Sequence, residues 1–300
     1  MKMLLTGCNG QVGWELARAL LPLGEIIAVN RTQADLADLD SLRQAVQKYN
    51  ADVIVNAAAY TAVDKAETEK DLAFLINAEA PGVLAEAAKK TGALLIHYST
   101  DYVFDGTKTS AYAEDDVPNP VNIYGQSKLA GEQAIQASGV DYMILRTSWV
   151  YAARGHNFLK SILRLAAERE ELNIVADQIG SPTWARLIAE TTAHILRQSL
   201  LERREGGFNS GLYHLTSAGE TSWHGFARMI VDVAQQQQNQ ALKNHTINPI
   251  ATAAYPLPAK RPANSRLATG RLEQHFGLTM PAWDQALTLC IKDIADSVHH

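Results

Sequence analysis

A tyrosine and a lysine stand four residues apart in Tyr124-Gly125-Gln126-Ser127-Lys128, at the start of a helical pattern that continues through Leu129-Ala130-Gly131-Glu132-Gln133-Ala134-Ile135. Residues at that spacing share a helix face, so the ammonium can lie beneath the phenol. A free tyrosine has a pKa of roughly 10 and exchanges protons poorly near neutrality. A cation fixed beside it favours the phenolate and lowers that pKa. Such a pair could pass a proton to or from a carbonyl or an alcohol. Taken alone, the same spacing also fits a half-buried tyrosine beside a solvated lysine, and chance favours that reading.

The elements around the pair decide between the two. Residues 2–6 read as a short buried strand, followed by Gly7-Cys8-Asn9-Gly10-Gln11-Val12-Gly13 and a helical run from Trp14 to Leu21. Three glycines between a strand and a helix permit a tight turn and the close approach of a pyrophosphate to the helix N-terminus. The spacing is Gly-x-x-Gly-x-x-Gly, not the commoner Gly-x-Gly-x-x-Gly. Cys8 reads as a small loop residue.

A second strand, Glu25 to Val29, ends in Asn30-Arg31, where a dinucleotide's adenosine ribose is met. An acid there would accept both ribose hydroxyls and repel a 2′-phosphate, whereas Arg31 could pair with that phosphate. The residues therefore lean towards NADPH, the alternative being that Arg31 is an exposed loop residue. Asp35-Leu36 follows, beside the adenine in this reading.

A helix from about Leu39 to Tyr49 leads to a third strand, Asp52 to Val55. Small residues after it, in Asn56-Ala57-Ala58-Ala59-Tyr60-Thr61, leave room for a ligand above the sheet edge. A helix from Asp71 to Lys90, ended by Gly92, precedes a fourth strand, Ala93 to His97. That strand runs into Tyr98-Ser99-Thr100-Asp101, whose hydroxyls could bind the oxygen that Tyr124 protonates, or could simply form a turn. The fifth strand is Asp141 to Arg146. Strands alternating with helices imply a parallel sheet with right-handed crossovers. In that frame the glycine turn, the fourth-strand hydroxyls and the Tyr124 helix meet on one carboxyl edge.

Composition is compatible with this. The chain has 300 residues, a formal net charge of -5, 47% hydrophobic and 20% charged residues, which fits one large globular domain or two smaller ones. No dense Lys/Arg stripe points to nucleic acid. Cys8 and Cys290 offer neither a disulfide framework nor metal-ligand spacing, which suits a reducing cytoplasm. Met3-Leu4-Leu5 is too short for a signal peptide, and nothing approaches a membrane span. Gln235-Gln236-Gln237-Gln238 reads as a solvated helix end or loop, and His299-His300 carries no assigned role.

Together the glycine turn, Ser99-Thr100-Asp101 and Tyr124-x-x-x-Lys128 resemble the extended short-chain dehydrogenase/reductases. Three longer stretches are similar to one family within them, the dTDP-4-dehydrorhamnose reductases. These are Val55 to Glu67 (VNAAAYTAVDKAE), Arg146 to Tyr151 (RTSWVY) and Arg261 to Leu267 (RPANSRL).

The resemblance implies an α/β fold, a Rossmann-type doubly wound parallel sheet with a smaller α/β substrate domain. Residues 1–148 and about 173–216 would bind the dinucleotide, and about 149–172 and 217–300 the sugar nucleotide. It implies reduction of the C4 ketone of dTDP-4-dehydro-L-rhamnose to dTDP-L-rhamnose, with NADPH preferred and NADH also used. Tyr124 would donate the proton, Lys128 would tune it and hold the nicotinamide ribose, and Thr100 would polarise the carbonyl. The cofactor would lie against Gly7, Gly10, Gln11, Val12, Gly13, Asn30, Arg31, Asp35, Leu36, Ala59, Tyr60, Thr61 and Tyr98, besides Tyr124 and Lys128. Thr100, Asp101 and Trp149 would border the sugar, with Arg261 and Arg266 near its diphosphate.

Some members pair as homodimers through Mg2+ held by interface glutamates. Glu15 is the candidate ligand here, while Arg186 stands where the resemblance puts another glutamate. Two rivals share these motifs. One is a nucleotide-sugar epimerase or dehydratase, although Tyr102 follows Asp101 where a dehydratase carries a second acid. The other is a regulatory subunit like the β-subunit of methionine adenosyltransferase.

Overall fold

In the computed structural model, residues 1–237, 242–243 and 246–298 are described; Gln238 of the glutamine tract and His299-His300 lie outside them. Five strands, β1 (Lys2–Thr6), β2 (Glu25–Val29), β3 (Val53–Asn56), β4 (Leu94–Thr100) and β5 (Tyr142–Thr147), join an edge strand, Gly211–His214, in one sheet. Every neighbouring pair is parallel. Runs such as Met3-Leu4-Leu5, Val53-Ile54-Val55 and Leu94-Leu95-Ile96 are apolar at consecutive positions and fully buried. A parallel sheet covered on both faces demands that pattern.

Helices Gln11–Ala19 and Ala185–Glu205 cover one face, where Leu16, Leu20, Ile188 and Leu196 meet Leu5 and Val55. Helices Leu39–Tyr49, Ala80–Thr91 and Ile123–Ser138 cover the other, where Leu42, Leu84 and Ile135 meet Leu4, Ile54 and Leu95. A third apolar cluster stands apart from the sheet. It gathers Tyr151, Leu159, Ile162, Trp184, Phe226, Ile230 and Leu287. The late helix Gly270–Phe276 returns to the sheet and packs Leu272 and Phe276 on the first core.

Strand order runs from the edge strand through β5, β4, β3 and β1 to β2. The direction of winding therefore reverses between β1 and β3, which opens a crevice beyond their carboxyl ends. The fold is the α/β, Rossmann-type arrangement that the alternation of elements implies.

Three local differences bear on the site. The first helix begins at Gln11, so Gln11-Val12-Gly13 form its first turn. β4 runs three residues past His97 because Tyr98, Ser99 and Thr100 pair with Leu145, Arg146 and Thr147 of β5. Their polarity suggests a loop, but the ladder holds them as strand. The helix after β3 contains a π segment, Leu75–Glu79, between Lys70–Phe74 and Ala80–Thr91.

Candidate active site

The glycine turn is fixed by close backbone packing. Gly7 has φ 73°, and a Cβ there would lie 2.7 Å from the Ala58 nitrogen. A Cβ on Gly13 would lie 2.1 Å from the Gly7 carbonyl oxygen. The helix that follows has Gly10 as its N-cap, with neither a side-chain cap nor an acid in its first turn. Its free N–H groups and positive dipole end suit an anion such as a pyrophosphate.

This turn forms one wall of a crevice of about 570 Å³. Gly7, Gly10, Gln11 and Val12 line it, while Gly13 lies beneath the turn. Asn30, Arg31, Asp35 and Leu36 line its β2 end, and Ala59, Tyr60 and Thr61 its β3 end. Tyr98, Tyr124 and Lys128 close the far side. The crevice thus gathers all the sequence-derived dinucleotide positions except Gly13. Its glycine cradle and unblocked helix N-terminus fit a dinucleotide.

Individual side chains differ in what they have to offer. Arg31 is exposed, and no acid lies within ion-pair distance of it among the described residues. The Asn30 carboxamide oxygen is committed to its own turn, accepting from the Thr32 N–H at 2.9 Å and the Thr32 hydroxyl at 2.7 Å. Asp35 likewise accepts the Ala37 N–H at 2.9 Å. Tyr60 is held by Asn77 in the π segment, which accepts the Tyr60 N–H at 2.8 Å and donates to its carbonyl at 3.0 Å. Asn77 also donates to the Ser127 hydroxyl at 3.0 Å, tying this wall to the Tyr124 helix. A π turn is a common way of aiming one side chain at a functional site.

The helix Ile123–Ser138 starts at the Asn122 N-cap, whose side chain accepts the Gly125 N–H at 2.8 Å. Gly125 lets this helix settle on the turn Asp101–Val103 that follows β4, since a Cβ there would meet the Tyr102 carbonyl oxygen at 2.1 Å. That contact brings Tyr124 beside Thr100 and Asp101.

Lys128 departs from expectation. Its side-chain nitrogen lies 2.6 Å from the Tyr98 carbonyl oxygen and 3.3 Å from His97 Nε2, so it is anchored on β4 and not on the phenol. Burial dominates the titration of Tyr124, pushing its phenol up to about 12 against an opposing hydrogen bond from Thr100. The pKa lowering anticipated from Tyr-x-x-x-Lys is therefore corrected: loss of water around the phenol outweighs the helical neighbour. Burial also pulls Lys128 down to about 8, and Glu132 partly offsets this. Asp101, 2% exposed, is pushed up to about 6 by burial.

The remaining sugar-side residues are distributed more widely. Trp149 holds a left-handed φ of 48° and stacks on Trp223 with ring centroids 3.6 Å apart. Arg261 grips Asp64 through two nitrogens at 3.0 and 2.9 Å. Arg266 reaches Glu220 at 2.9 Å and the Thr109 carbonyl at 2.6 Å. Both cations of that loop therefore have protein partners, where a solvated or ligand-facing pair was expected. Glu15 is 5% exposed and faces Arg186 Nε at 3.3 Å. Among the described residues no group of three His, Cys, Asp or Glu could hold a metal ion.

Ser99, one of the fourth-strand hydroxyls named from the sequence, is buried with an unpartnered hydroxyl and lines the crevice. Thr147, Val150, Gly155 and His156 also line it and had no assigned role. Asn77, which interrupts an apolar helix face, was a signal for the neighbouring wall. Gly155 and His156 gave none, because their loop reaches the crevice only through the fold.

The RmlD substrate binding domain family model matches residues 1–296. A dTDP-4-dehydrorhamnose reductase of Burkholderia thailandensis is 55% identical over 98% of this chain and 99% of its own length. One from Escherichia coli K12 is 45% identical over 98% of both chains. The solved structure of dTDP-4-dehydrorhamnose reductase from Bacillus anthracis in complex with NADP superposes with a TM-score of 0.87 at 36% identity. That likeness covers 97% of this chain and 99% of the other.

Proposed function

The chain belongs to the dTDP-4-dehydrorhamnose reductase family, and from that premise we infer that it reduces the C4 ketone of dTDP-4-dehydro-L-rhamnose to dTDP-L-rhamnose with NAD(P)H. The observation that carries the reading is the placement of Tyr124 beside Thr100, next to a dinucleotide-sized crevice at the reversal point of the sheet. The test is purified protein with the keto sugar nucleotide and NADPH. One reduced nicotinamide consumed per sugar supports the reading. An epimerase or dehydratase would consume no added cofactor, and a regulatory subunit would turn nothing over.

NADPH, when bound, supplies the hydride. The protein's own part is to hold the ketone and give it a proton. Tyr124 is the acid. With its pKa near 12 the phenol stays protonated across neutral pH, which is the form a reductase needs. An alkoxide forming at C4 is the conjugate base of a much weaker acid than a phenol, so transfer from Tyr124 runs downhill. The Thr100 hydroxyl binds the same oxygen, and Lys128 binds the nicotinamide ribose. Asp101 and Trp149 border the sugar. The Trp149 backbone strain is consistent with a ring held in place for a ligand.

Arg31 supports a preference for NADPH over NADH. It is the free cation at the β2 end, and the side chain before it is an amide occupied with its own turn. Arg31→Ala should raise the KM for NADPH about tenfold and leave that for NADH nearly unchanged, as fits an exposed charge-assisted contact. Equal loss with both cofactors would remove Arg31 from 2′-phosphate recognition.

Arg261 is proposed to hold the sugar diphosphate while Asp64 fixes its fork. Three of the guanidinium's five donors are used by two carboxylate oxygens and the Ala259 carbonyl, which leaves two for a ligand. Arg261→Ala should raise the KM for the keto sugar by about tenfold or more and spare NADPH binding, measured by nicotinamide fluorescence. Unchanged substrate affinity in a folded variant would leave Arg261 a purely internal partner of Asp64. Arg266, held by Asn264, Glu220 and the Thr109 carbonyl, is assigned the weaker share.

A further inference from the structure

Beneath Lys128 lies a buried chain of side chains that proton transfer from Tyr124 does not require. His97 Nε2 faces the Lys128 nitrogen at 3.3 Å, and His97 Nδ1 faces the Asn56 amide nitrogen at 3.0 Å. The Asn56 carbonyl oxygen accepts the Thr6 hydroxyl at 2.7 Å and the Ala58 N–H at 3.3 Å. Thr6, Asn56 and His97 are each 1% exposed, and Lys128 is 2% exposed.

The donors in this chain leave one consistent arrangement. A backbone N–H can only donate, so Ala58 fixes which end of the Asn56 amide carries oxygen. The other end is an NH2 that can only donate, and it meets His97 Nδ1, which must therefore accept. A neutral imidazole that accepts at one nitrogen donates at the other. His97 then directs an N–H from Nε2 at Lys128, where the partner must offer a lone pair. A neutral amine has one, and still keeps hydrogens for the Tyr98 carbonyl 2.6 Å away. An ammonium has none. Forming it requires His97 to move its proton to Nδ1 and Asn56 to turn over, breaking the Ala58 bond.

We propose that His97 is a positioning residue that sets the protonation of Lys128, its tautomer locked by Asn56 so that the buried site favours the lysine amine. Other charges around Lys128 act differently. Glu132, on the same helix, favours the ammonium, but its carboxylate is gripped by Arg146 of β5 at 2.8 and 2.6 Å. Tyr124 is a neutral phenol at these pH values. The Tyr98 phenol is engaged with Thr192 at 2.7 Å. The directions of titration agree with this account: burial depresses Lys128 to about 8, and burial and Lys128 together keep His97 neutral.

The kinetic consequence rests on the reductase reading, in which Lys128 acts as an ammonium. The reduction rate should then fall on the alkaline side near pH 8, with Lys128, and not near 12, with Tyr124.

The test has one arm without turnover and one with it. Nitrogen-15 spectra of histidine-labelled wild-type protein, with the His97 signals assigned by their loss in His97→Gln, should show the Nε2–H tautomer above the alkaline limb. An Nδ1–H tautomer or an imidazolium there would overturn the proposal. In the pH profile of kcat, His97→Gln offers Lys128 a carbonyl oxygen. Asn56→Asp keeps the Ala58 and Thr6 bonds but draws the His97 proton to Nδ1. Each should move the alkaline limb up by about one pH unit. A uniform loss of rate with an unmoved limb in these folded variants would make His97 merely structural and sink the idea. A protein that turns over no keto sugar would defeat the reductase reading, yet the tautomer would still be read.

Discussion

Tyr124→Phe should lower the rate of keto-sugar reduction by about 10²–10⁴-fold, the range for losing a positioned acid, while NADPH binding stays close to wild type. The substitution removes one hydroxyl and leaves the ring, which meets Tyr102 edge-on at 5.5 Å. Binding should survive because the turn proposed to hold the phosphates, Gly7–Val12, lies on a different element from Tyr124. The fold should survive too, since the lost hydrogen bond to Thr100 is worth about 1 kcal/mol. Single-turnover reduction at saturating NADPH, with nicotinamide fluorescence for binding, checks both halves. Near-wild-type reduction by the phenylalanine variant would end Tyr124's role as the acid. Lys128→Met should differ by weakening cofactor binding as well as turnover.

The second large effect concerns the ion pair that holds the Tyr124 helix to β5. Arg146 Nε and Nη2 donate to the Glu132 carboxylate at 2.8 and 2.6 Å, with both side chains 2–3% exposed. Removing one partner of such a pair leaves a bare charge in a desolvated interior, at a cost of about 3–5 kcal/mol. Glu132→Gln should therefore destabilise the protein by that amount in urea unfolding. The double change Glu132→Leu with Arg146→Met should recover most of the loss, because neither charge then remains. A loss below about 1 kcal/mol in Glu132→Gln would mean that water reaches the pair. Where Glu132→Gln still folds, the alkaline limb of turnover should move to lower pH, since the charge that supports the Lys128 ammonium is gone. That direction is opposite to the one expected for His97→Gln, so the two substitutions bracket the lysine.

Much of this molecule could be read from the chain alone. The order of strands and helices follows from apolar runs bounded by turn residues. The crevice follows from three glycines placed between β1 and a helix, because a Cβ on Gly13 would lie only 2.1 Å from the Gly7 carbonyl oxygen. Tyr124 and Lys128 share a helix, as their spacing requires. These are local matters of period and steric room, and neighbouring residues suffice to set them.

Tertiary structure decided who meets whom and how each group titrates. Lys128 is four residues from Tyr124 but is anchored by His97 and Tyr98, about thirty residues away in sequence. The Tyr124 pKa rises where spacing alone implied a fall, because desolvation depends on everything packed around the phenol. Arg261 finds Asp64 across a separation of 197 residues, and Arg186 finds Glu15 across 171. The Trp149–Trp223 stack likewise joins distant segments. Charge pairing and burial are properties of the assembled interior, so residue types and spacing could nominate these side chains but could not assign their partners.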